Sequence, residues 1–431
     1  MRGLCFFKST AIKFFVRRFA SDTGRAGGHG SGRGAMNERA VRGNPAEIFS
    51  VFLKLGLTSF GGPVAHLGYF RIEFVERRKW LNEESYADLV ALCQFLPGPA
   101  SSQVGIAIGL LRGGTLGAIA AWTAFTLPSA LVLILFAYGL ATFENHFGGG
   151  WLHGLKVAAV AVVALAILGM ARTLTPDRTR IMLAMAAMAV ALVLPSAWGQ
   201  IAGILLGGCV GWFCIKGKIS DDQSVLPLPI SRRAGVAMLV VFAALLVGLP
   251  LLAASTDSSW LKLFGIFYRV GSLVFGGGHV VLPLLKAEVV PALVSSDNFL
   301  AGYGAAQAVP GPLFTFAAYL GAVMGGWTIA AICLAGIFLP SFLLVIGVLP
   351  FWDALRRRPA AQAILAGVNA AVVGLLLAAF YDPVWTAGIT NSYDYVLGLC
   401  AFVLLFAWKA PPWLVVVLCG LAGQLVLPLV N

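Results

Sequence analysis

Charged residues are scarce in this sequence of 431 residues: they make up only 11% of it, whereas 59% of its residues are hydrophobic. Soluble domains carry roughly twice that share of charge, so the composition argues against an ordinary soluble protein. The mean hydropathy is +0.89, and continuous runs of about 20 apolar residues recur, which is the length of a membrane-spanning helix. The alternating polarity of a membrane β-barrel is missing. The sequence therefore predicts an all-α polytopic membrane protein.

Motifs for catalysis, nucleotide binding and metal binding are also missing. The chain contains no P-loop, G-x-S-x-G or H-E-x-x-H pattern, so ATP-driven transport and hydrolysis both lose support. Its seven cysteines are scattered singly. Neither they nor the five histidines have the spacing of a metal site or of a disulfide framework. We therefore expect no enzyme activity, no cofactor and no metal site.

Acidic residues are fewer than basic ones, 18 against 30, and much of the net charge of +12 lies before residue 45. Basic segments beside membrane spans are retained in the cytoplasm, and we prefer this explanation to nucleic-acid binding. We predict that residues 1–44 form a basic, disordered extension. Its first 35 residues have the composition of a transit peptide, and Met36 offers an alternative start.

Glycine and proline interrupt apolar runs in four places where a membrane helix would contain neither. The first two interruptions are Phe60-Gly61-Gly62-Pro63 and Pro97-Gly98-Pro99. Both devices recur, as Phe275-Gly276-Gly277-Gly278 and Pro310-Gly311-Pro312. Proline lacks the amide proton that a helix interior needs, and each glycine costs on the order of 1 kcal/mol there. Such costly residues, repeated in matching surroundings, indicate paired functional elements.

The matching surroundings extend along both halves of the chain, which indicates an internal duplication. The corresponding positions include Lys54 and Arg269, Glu73 and Glu288, Gln94 and Gln307, and Pro128-Ser129 and Pro340-Ser341. We predict an N-terminal repeat over residues 45–218 and a C-terminal repeat over residues 263–431. Residues 219–262 would form a linker that contains one transmembrane helix.

The distribution of basic residues predicts that the two repeats have inverted topologies. Residues 71–79 contain four basic side chains, but the equivalent loop of the second repeat holds only Lys286. Conversely, residues 356–358 are three arginines, whereas the equivalent loop at 141–150 contains neither Lys nor Arg. Because basic loops stay in the cytoplasm, equivalent loops lie on opposite sides. A consistent topology has nine crossings and four interrupted elements that re-enter on the side where they start.

Paired interrupted helices in inverted repeats are typical of secondary transporters, because irregular backbone is tolerated at membrane depth only where it lines a cavity or is buried in protein. Free N–H groups at a helix N-terminus bind anions, and glycine lets a ligand approach the backbone. The alternative is that these glycines only permit close helix packing, but their duplication in register favours a site. The predicted substrate-binding residues are Gly61, Gly62, Pro63, His66, Gln94, Pro97, Gly98, Pro99, Gly276, Gly277, Gly278, His279, Gln307, Pro310, Gly311 and Pro312.

Charged residues near the interruptions are candidates for coupling transport to an ion. They are Lys54, Glu73, Arg269 and Glu288. Intramembrane charges are functional candidates by default, although the two cations could snorkel to an interface and the two carboxylates could pair with Arg71 and Lys286. Hydroxyl groups just past the Pro-Gly-Pro turns would contact either an oxyanion or the freed backbone. They belong to Ser101, Ser102 and Thr315.

Four segments resemble the chromate ion transporter family in its long, two-domain form. They are the two interruptions that are followed by His66 and His279, and the segments that run from Gln94 to Pro99 and from Gln307 to Pro312. The resemblance covers residues 45–431, without the basic extension. It implies a multi-pass protein of the inner (plasma) membrane. Such a protein exports chromate, driven by the membrane potential or the proton gradient, and so confers chromate resistance.

Two alternatives to a chromate exporter stay open. Sulfate is also a tetrahedral dianion, so a transporter of another oxyanion would fit the same residues, and so would a passive anion channel. The partners that we expect are the oxyanion, the lipid bilayer and protons as the coupling ion, without nucleic acid. A homodimer is one assembly that the sequence allows.

Overall fold

The computed structural model describes residues 43–147, 149–216 and 230–430. Within these ranges the chain is helical apart from short connections and contains no β-strand. The predicted disorder of the basic extension falls outside the described residues, apart from residues 43 and 44. The start of the predicted linker, up to residue 229, also falls outside them.

The helices before the predicted linker are α1 (Pro45–Thr58), α2 (Gly62–Arg71), α3 (Glu83–Phe95), α4 (Ala100–Phe147), α5 (Gly150–Leu174), α6 (Arg178–Val193) and α7 (Ala197–Cys214). Helix α8 (Arg232–Ser255) lies between the two halves of the chain. The helices after it are α9 (Ser259–Leu273), α10 (Val281–Val289), α11 (Ser296–Ala308), α12 (Phe316–Val348), α13 (Trp352–Arg356), α14 (Pro359–Ala379), α15 (Thr386–Gly388), α16 (Ser392–Phe406) and α17 (Pro412–Val430). Short π or 3-10 turns occupy Ile72–Arg77, Gly278–Val280, Leu313–Thr315, Leu349–Phe351 and Phe380–Trp385.

Polar residues at the helix starts explain where several helices begin. The side-chain oxygens of Asn44 and Asn82 accept hydrogen bonds from the amides of Ala46 (3.0 Å) and Ser85 (2.8 Å). Ser295 caps α11 in the same way. Such caps satisfy amide groups that have no partner within their own helix. The starts of α1, α3 and α11 are therefore fixed by local sequence.

Six helices in the described ranges are long and apolar enough to cross a membrane. They are Ala100–Leu140, Gly150–Leu174, Ala197–Cys214, Arg232–Ser255, Leu313–Arg356 and Pro359–Gly388. Ser392–Phe406 and Pro412–Leu425 are shorter apolar helices. The prediction of an all-α polytopic membrane protein is therefore confirmed. The nine crossings stay a prediction, because they require the shorter helices α6, α16 and α17 to cross as well.

Helices α1 and α2 form an antiparallel hairpin around the first interruption. The Phe52 ring contacts the rings of Phe70 and Phe74 across the hairpin, with centroids 5.6 and 5.0 Å apart. Glu47, near the start of α1, pairs with Arg78, just after the following π turn, at 3.0 Å. Both arms therefore end on the same side of the molecule, as a re-entrant element requires; re-entry into the membrane itself stays a prediction.

The second hairpin consists of α3 and the first part of α4. The amide of Gly43 donates to the carbonyl of Arg112 (2.8 Å), so residues 100–112 run back towards the start of α1. At Gly114 the backbone leaves the helical region, with φ 64 and ψ −155. The chain reverses there, and Gly109 packs directly against the carbonyl of Gly117. Residues 115–140 then form a separate apolar span.

The second half of the chain repeats both hairpins. Arg269 near the end of α9 bonds both carboxylate oxygens of Glu288 on α10, at 2.7 Å each, which brings the two arms together. In the next hairpin the Tyr319 hydroxyl donates to the carbonyl of Asn298 (2.8 Å), which joins the start of α11 to the returning arm of α12. Helix α12 reverses at Gly326, where φ is 77 and ψ is −159. Each half thus contributes two hairpins followed by an apolar span.

The two halves of the chain are interlocked. Helix α5 of the first half packs against α16 and α17, whereas α14 of the second half packs against α6 and α7. Glycines allow these backbones to approach closely: Gly154 lies on the carbonyl of Cys419, and Gly367 lies on that of Gly207. Small residues serve this purpose between membrane helices. The exchanged packing fits two equivalent units, while their inverted relation stays a prediction.

Candidate functional site

The interruptions form the tips of the four hairpins, and we refer to residues 59–62, 96–99, 274–278 and 309–312 as the first, second, third and fourth tip. The amide of Gly311 donates to the carbonyl of Ser59 (3.0 Å), which joins the fourth tip to the first. The amide of Gly98 donates to the carbonyl of Val274 (2.7 Å), which joins the second tip to the third. A Cβ on Gly278 would lie 3.4 Å from Cγ of Pro63, the residue that directly follows the first tip. The third tip therefore also lies next to the first.

Each Pro-Gly-Pro tip also packs against a serine of the other half. In the first junction, formed by the fourth tip with Ser59 and Ser129, a Cβ on Gly311 would lie 2.9 Å from Ser129 Oγ. In the second junction, formed by the second tip with Val274 and Ser341, a Cβ on Gly98 would lie 2.8 Å from Ser341 Oγ. The φ angles of Gly311 and Gly98 are +106° and +128°, a region that other residues rarely adopt. Both conformation and space therefore require glycine at these two positions.

Buried hydroxyl groups belong to the first junction and to the segments next to it. The side chains of Ser59, Ser102 and Thr126 are at most 2% exposed, and among the described residues their oxygens have no hydrogen-bond partner. The second junction contains two polar atoms without a partner in the described part of the chain, Ser341 Oγ and Gln103 Oε1. Buried polar groups normally have partners. The tips are therefore a region of unused hydrogen-bonding capacity.

The two predicted histidines have different surroundings. His66 is 1% exposed, and its Nε2–H donates to the carbonyl of Ser59 (3.1 Å) while its Nδ1 accepts from the Ser101 hydroxyl (3.3 Å). His279 is half-buried, and its Nδ1 pairs with the Tyr303 hydroxyl at 2.8 Å. Since both nitrogens of His66 bond protein groups, His66 holds the first tip against the start of α4.

The two predicted glutamines also differ. Gln307 is half-buried just before the fourth tip, whereas its counterpart Gln94 is exposed. The third tip lies beside α14: a Cβ on Gly276 would be 3.5 Å from Oδ1 of Asn369, which has no partner among the described residues. The structure thus brings the tip glycines, Gln307 and both histidines to the junctions or next to them, but it leaves Gln94 outside.

The two predicted coupling carboxylates are bonded by arginines, and the two predicted coupling cations differ in their surroundings. Glu288 pairs with Arg269, at 2.7 Å. Lys54 is exposed. Glu73 accepts hydrogen bonds from Arg78 (2.6 Å) and Arg77 (3.1 Å). The expected partners Arg71 and Lys286 instead bond other carboxylates: Arg71 bonds Glu76 and Glu83, and Lys286 bonds Asp382.

Glu73 lies in the basic loop that follows the first hairpin. Burial acts to raise its pKa, but the hydrogen bonds and positive charges of Arg78 and Arg77 outweigh burial and hold the pKa below its ordinary value. The carboxylate is therefore ionised at neutral pH. This arrangement favours a structural role for Glu73 over proton coupling.

An apolar cavity of about 460 Å³ touches the tips only through Val309 of the fourth tip. It is lined by residues of α4, α5, α11 and α17, including Phe136 and Trp151. Moving a charge into apolar surroundings without partners is very costly. The cavity therefore does not suit an anion, and the polar junctions are the better candidate site.

Sequence reasoning missed several polar residues at the junctions. Ser59, Thr126 and Gln103 lie inside apolar segments, and Asn369 lies in the middle of α14. A polar residue within a membrane-grade run could have been singled out on that ground alone. Ser341 matches Ser129 in the duplication, but only the fold brings each of them to a Pro-Gly-Pro tip of the other half.

Comparison with known proteins finds relatives that align with most of this chain. The profile of the chromate transporter family matches residues 46–212 and, a second time, residues 261–424. A chromate transport protein of Pseudomonas aeruginosa is 29% identical over 392 residues, which cover 89% of this chain and 92% of that protein. A chromate transport protein of Cupriavidus metallidurans is 27% identical over 350 residues, which cover 77% of this chain and 81% of that one. An uncharacterized transporter of Methanocaldococcus jannaschii is 28% identical over 349 residues, 78% and 84% of the two chains. No solved structure matches this chain.

Proposed function

The chain belongs to the chromate transporter family, and on that premise we propose that it carries chromate across the membrane by alternating access. Two relatives that align along most of its length are named chromate transport proteins. The contact between the four hairpin tips is the observation that supports this function most directly. Tips of interrupted helices in a membrane protein can present backbone and side-chain donors to an anion, as in other secondary transporters.

The moving parts would be two inverted repeats, residues 45–218 and 263–431, with α8 in the segment between them. Two regions matched by one family profile support this division, and so does the exchanged packing of α5 and α14. Because the tips of one repeat touch those of the other, rocking one repeat against the other would open the tips to alternate sides. The substrate would contact the tip residues predicted from the sequence, with His279 and Gln307 beside them.

The direction of transport that we propose is export across the inner membrane, which would lower cytoplasmic chromate and confer resistance. The buried ion pair between Asp88 and Arg356 (2.8 Å) supports the predicted orientation. It joins Arg356 to the hairpin that follows the basic 71–79 loop, as expected if both segments face the cytoplasm. The proton gradient or the membrane potential would drive export.

Chromate uptake into everted membrane vesicles tests this function. Vesicles with the protein should accumulate chromate when energised, and they should lose accumulation when the gradient is dissipated. A passive channel would only equilibrate chromate, and a protein selective for another oxyanion would accumulate sulfate in preference. Equal chromate uptake with and without the protein would contradict the proposal.

A further inference from the structure

We propose that the transported oxyanion binds off-centre, in a subsite of the first junction lined by the hydroxyl groups of Ser59, Ser102 and Thr126. We call these three residues the hydroxyl cluster. The inference rests on the proposed oxyanion transport and assigns its binding groups. It predicts that the two junctions, which have the same backbone design, contribute unequally to binding.

The unused hydrogen-bonding capacity of the hydroxyl cluster is its first distinguishing feature. Buried Ser and Thr side chains in membrane helices commonly bond a carbonyl of the preceding turn. Ser272 does so with the carbonyl of Tyr268 (2.8 Å), and Thr175 does so with that of Ala171 (2.7 Å). The hydroxyl cluster is as deeply buried, yet its oxygens have no partner within the described chain. Leaving such groups unpaired in a buried site is costly, and a bound ligand would offset that cost.

Contacts through His66 and Gly311 link the segments that carry the hydroxyl cluster. Ser59 accepts the Gly311 amide through its carbonyl, and the same carbonyl accepts from His66. His66 also bonds Ser101, the neighbour of Ser102 in the chain. On the other side of Gly311, the Ser129 hydroxyl donates to the carbonyl of Thr126 (3.0 Å). Ser59 therefore lies at the contact between the first and fourth tips, and Ser102 and Thr126 belong to the helical segments that bond or pack against this contact.

One residue of the hydroxyl cluster lies at the positive end of a helix. Ser102 lies in the first turn of α4, which begins at Ala100 after the second tip. Amide groups of a first helical turn carry partial positive charge and favour anions. Hydroxyl groups add donors that become strong when the acceptor is charged. A tetrahedral oxyanion dianion, with four acceptor oxygens, matches this set of donors.

The equivalent positions of the second half lack this chemistry. By the spacing of the duplication, Ser59, Ser101 and Thr126 correspond to Val274, Phe314 and Phe338. The rings of Phe314 and Phe338 contact each other with centroids 5.8 Å apart. Thr315, the counterpart of Ser102, keeps a hydroxyl, but it donates to the carbonyl of Pro312 (2.8 Å). At these positions the second junction therefore has an aromatic packing contact, and its unpartnered polar atoms are instead Ser341 Oγ and Gln103 Oε1.

The experiment compares isosteric removal of single hydroxyls in the full-length protein in proteoliposomes. The test variants are Ser59→Ala, Ser102→Ala and Thr126→Val. The matched controls are Ser272→Ala and Thr175→Val, which remove buried hydroxyls that already have backbone partners. Initial rates are measured over a range of chromate and, separately, sulfate concentrations. Stabilisation by the same anions is measured as the shift in melting temperature in detergent.

Each test variant should raise the KM for the transported anion by about tenfold, the loss expected for one hydrogen bond to a charged group. It should also lose most of the anion-induced melting shift while keeping its melting temperature without anion. The KM of each control variant should stay within about twofold of that of the unmodified protein. Test variants with unchanged KM and melting shift would overturn the subsite, although transport by the unmodified protein would preserve the proposed function. Transport of neither anion by the unmodified protein would overturn both.

Discussion

The first and second junctions share a backbone design but not a chemistry. In both, the amide of a Pro-Gly-Pro glycine donates to a carbonyl of the other half, and in both a serine of the other half fills the space beside that glycine. Around this frame the first junction carries the hydroxyl cluster and His66, whereas the second carries Val274 and the Phe314–Phe338 contact. The duplication has thus kept the parts that shape the tips, whereas the side chains around them differ.

Alanine at the junction glycines should have the largest effect, and it should be equal in both junctions. Gly98→Ala and Gly311→Ala place a methyl group 2.5 Å from Gln103 Nε2 and 2.9 Å from Ser129 Oγ, at positive φ in both. Strain of this kind costs about 1–3 kcal/mol before any overlap is counted, so chromate uptake should fall at least about tenfold.

Gly68→Ala is the matched control, because a Cβ there has nothing within 4 Å. It should leave uptake and membrane abundance unchanged. If only one of the two junction variants lost uptake, the two junctions would not share one backbone design.

The hairpins that carry the Pro-Gly-Pro tips differ in how they are anchored. Asp88 on α3 accepts from Arg356 and from Trp352 Nε1, at 2.8 Å each, and the Asp88 and Arg356 side chains are only 3% exposed. On α11, Asp297 pairs with Lys156 at 2.9 Å but is 72% exposed. Removing one partner of a buried pair leaves a desolvated charge, whereas an exposed pair contributes little.

Asp88→Asn should therefore lower the free energy of unfolding by about 3 kcal/mol or more, and Asp297→Asn by less than about 1 kcal/mol. Chemical denaturation of the purified protein in detergent measures both. Similar losses of unfolding free energy in the two variants would show that the two hairpins are anchored equally.

Local sequence predicted the four interruptions and the duplication, because glycine and proline act on the backbone wherever they occur. It did not predict the partners across the halves. Glu73 and Glu288 match in sequence, yet one is bonded by Arg77 and Arg78 in a loop and the other by Arg269 in the hairpin. Ser59 carries no periodic signal, since only the fold brings its carbonyl to the amide of Gly311. Such pairings depend on tertiary packing, which the order of residues along the chain does not display.

The smallest effect should come from neutralising Glu73. Because Arg78 and Arg77 hold its pKa below the ordinary value, its contribution to stability is present above the ordinary pKa and is lost as the pH falls through the lowered one. Glu73→Gln should therefore reduce stability at neutral pH modestly and weaken the loss of stability in acid. The rate of proton-driven chromate uptake should stay within about twofold of the rate of the unmodified protein. Loss of pH-dependent uptake in this variant would restore Glu73 as a coupling residue.

A cryo-EM structure of the full-length protein with chromate would locate the anion directly. We expect density for the anion at the first junction, within hydrogen-bonding distance of the hydroxyls of Ser59, Ser102 and Thr126. Density in the second junction beside Ser341, in the apolar cavity near Phe136, or among the arginines at 71–78 would contradict this expectation.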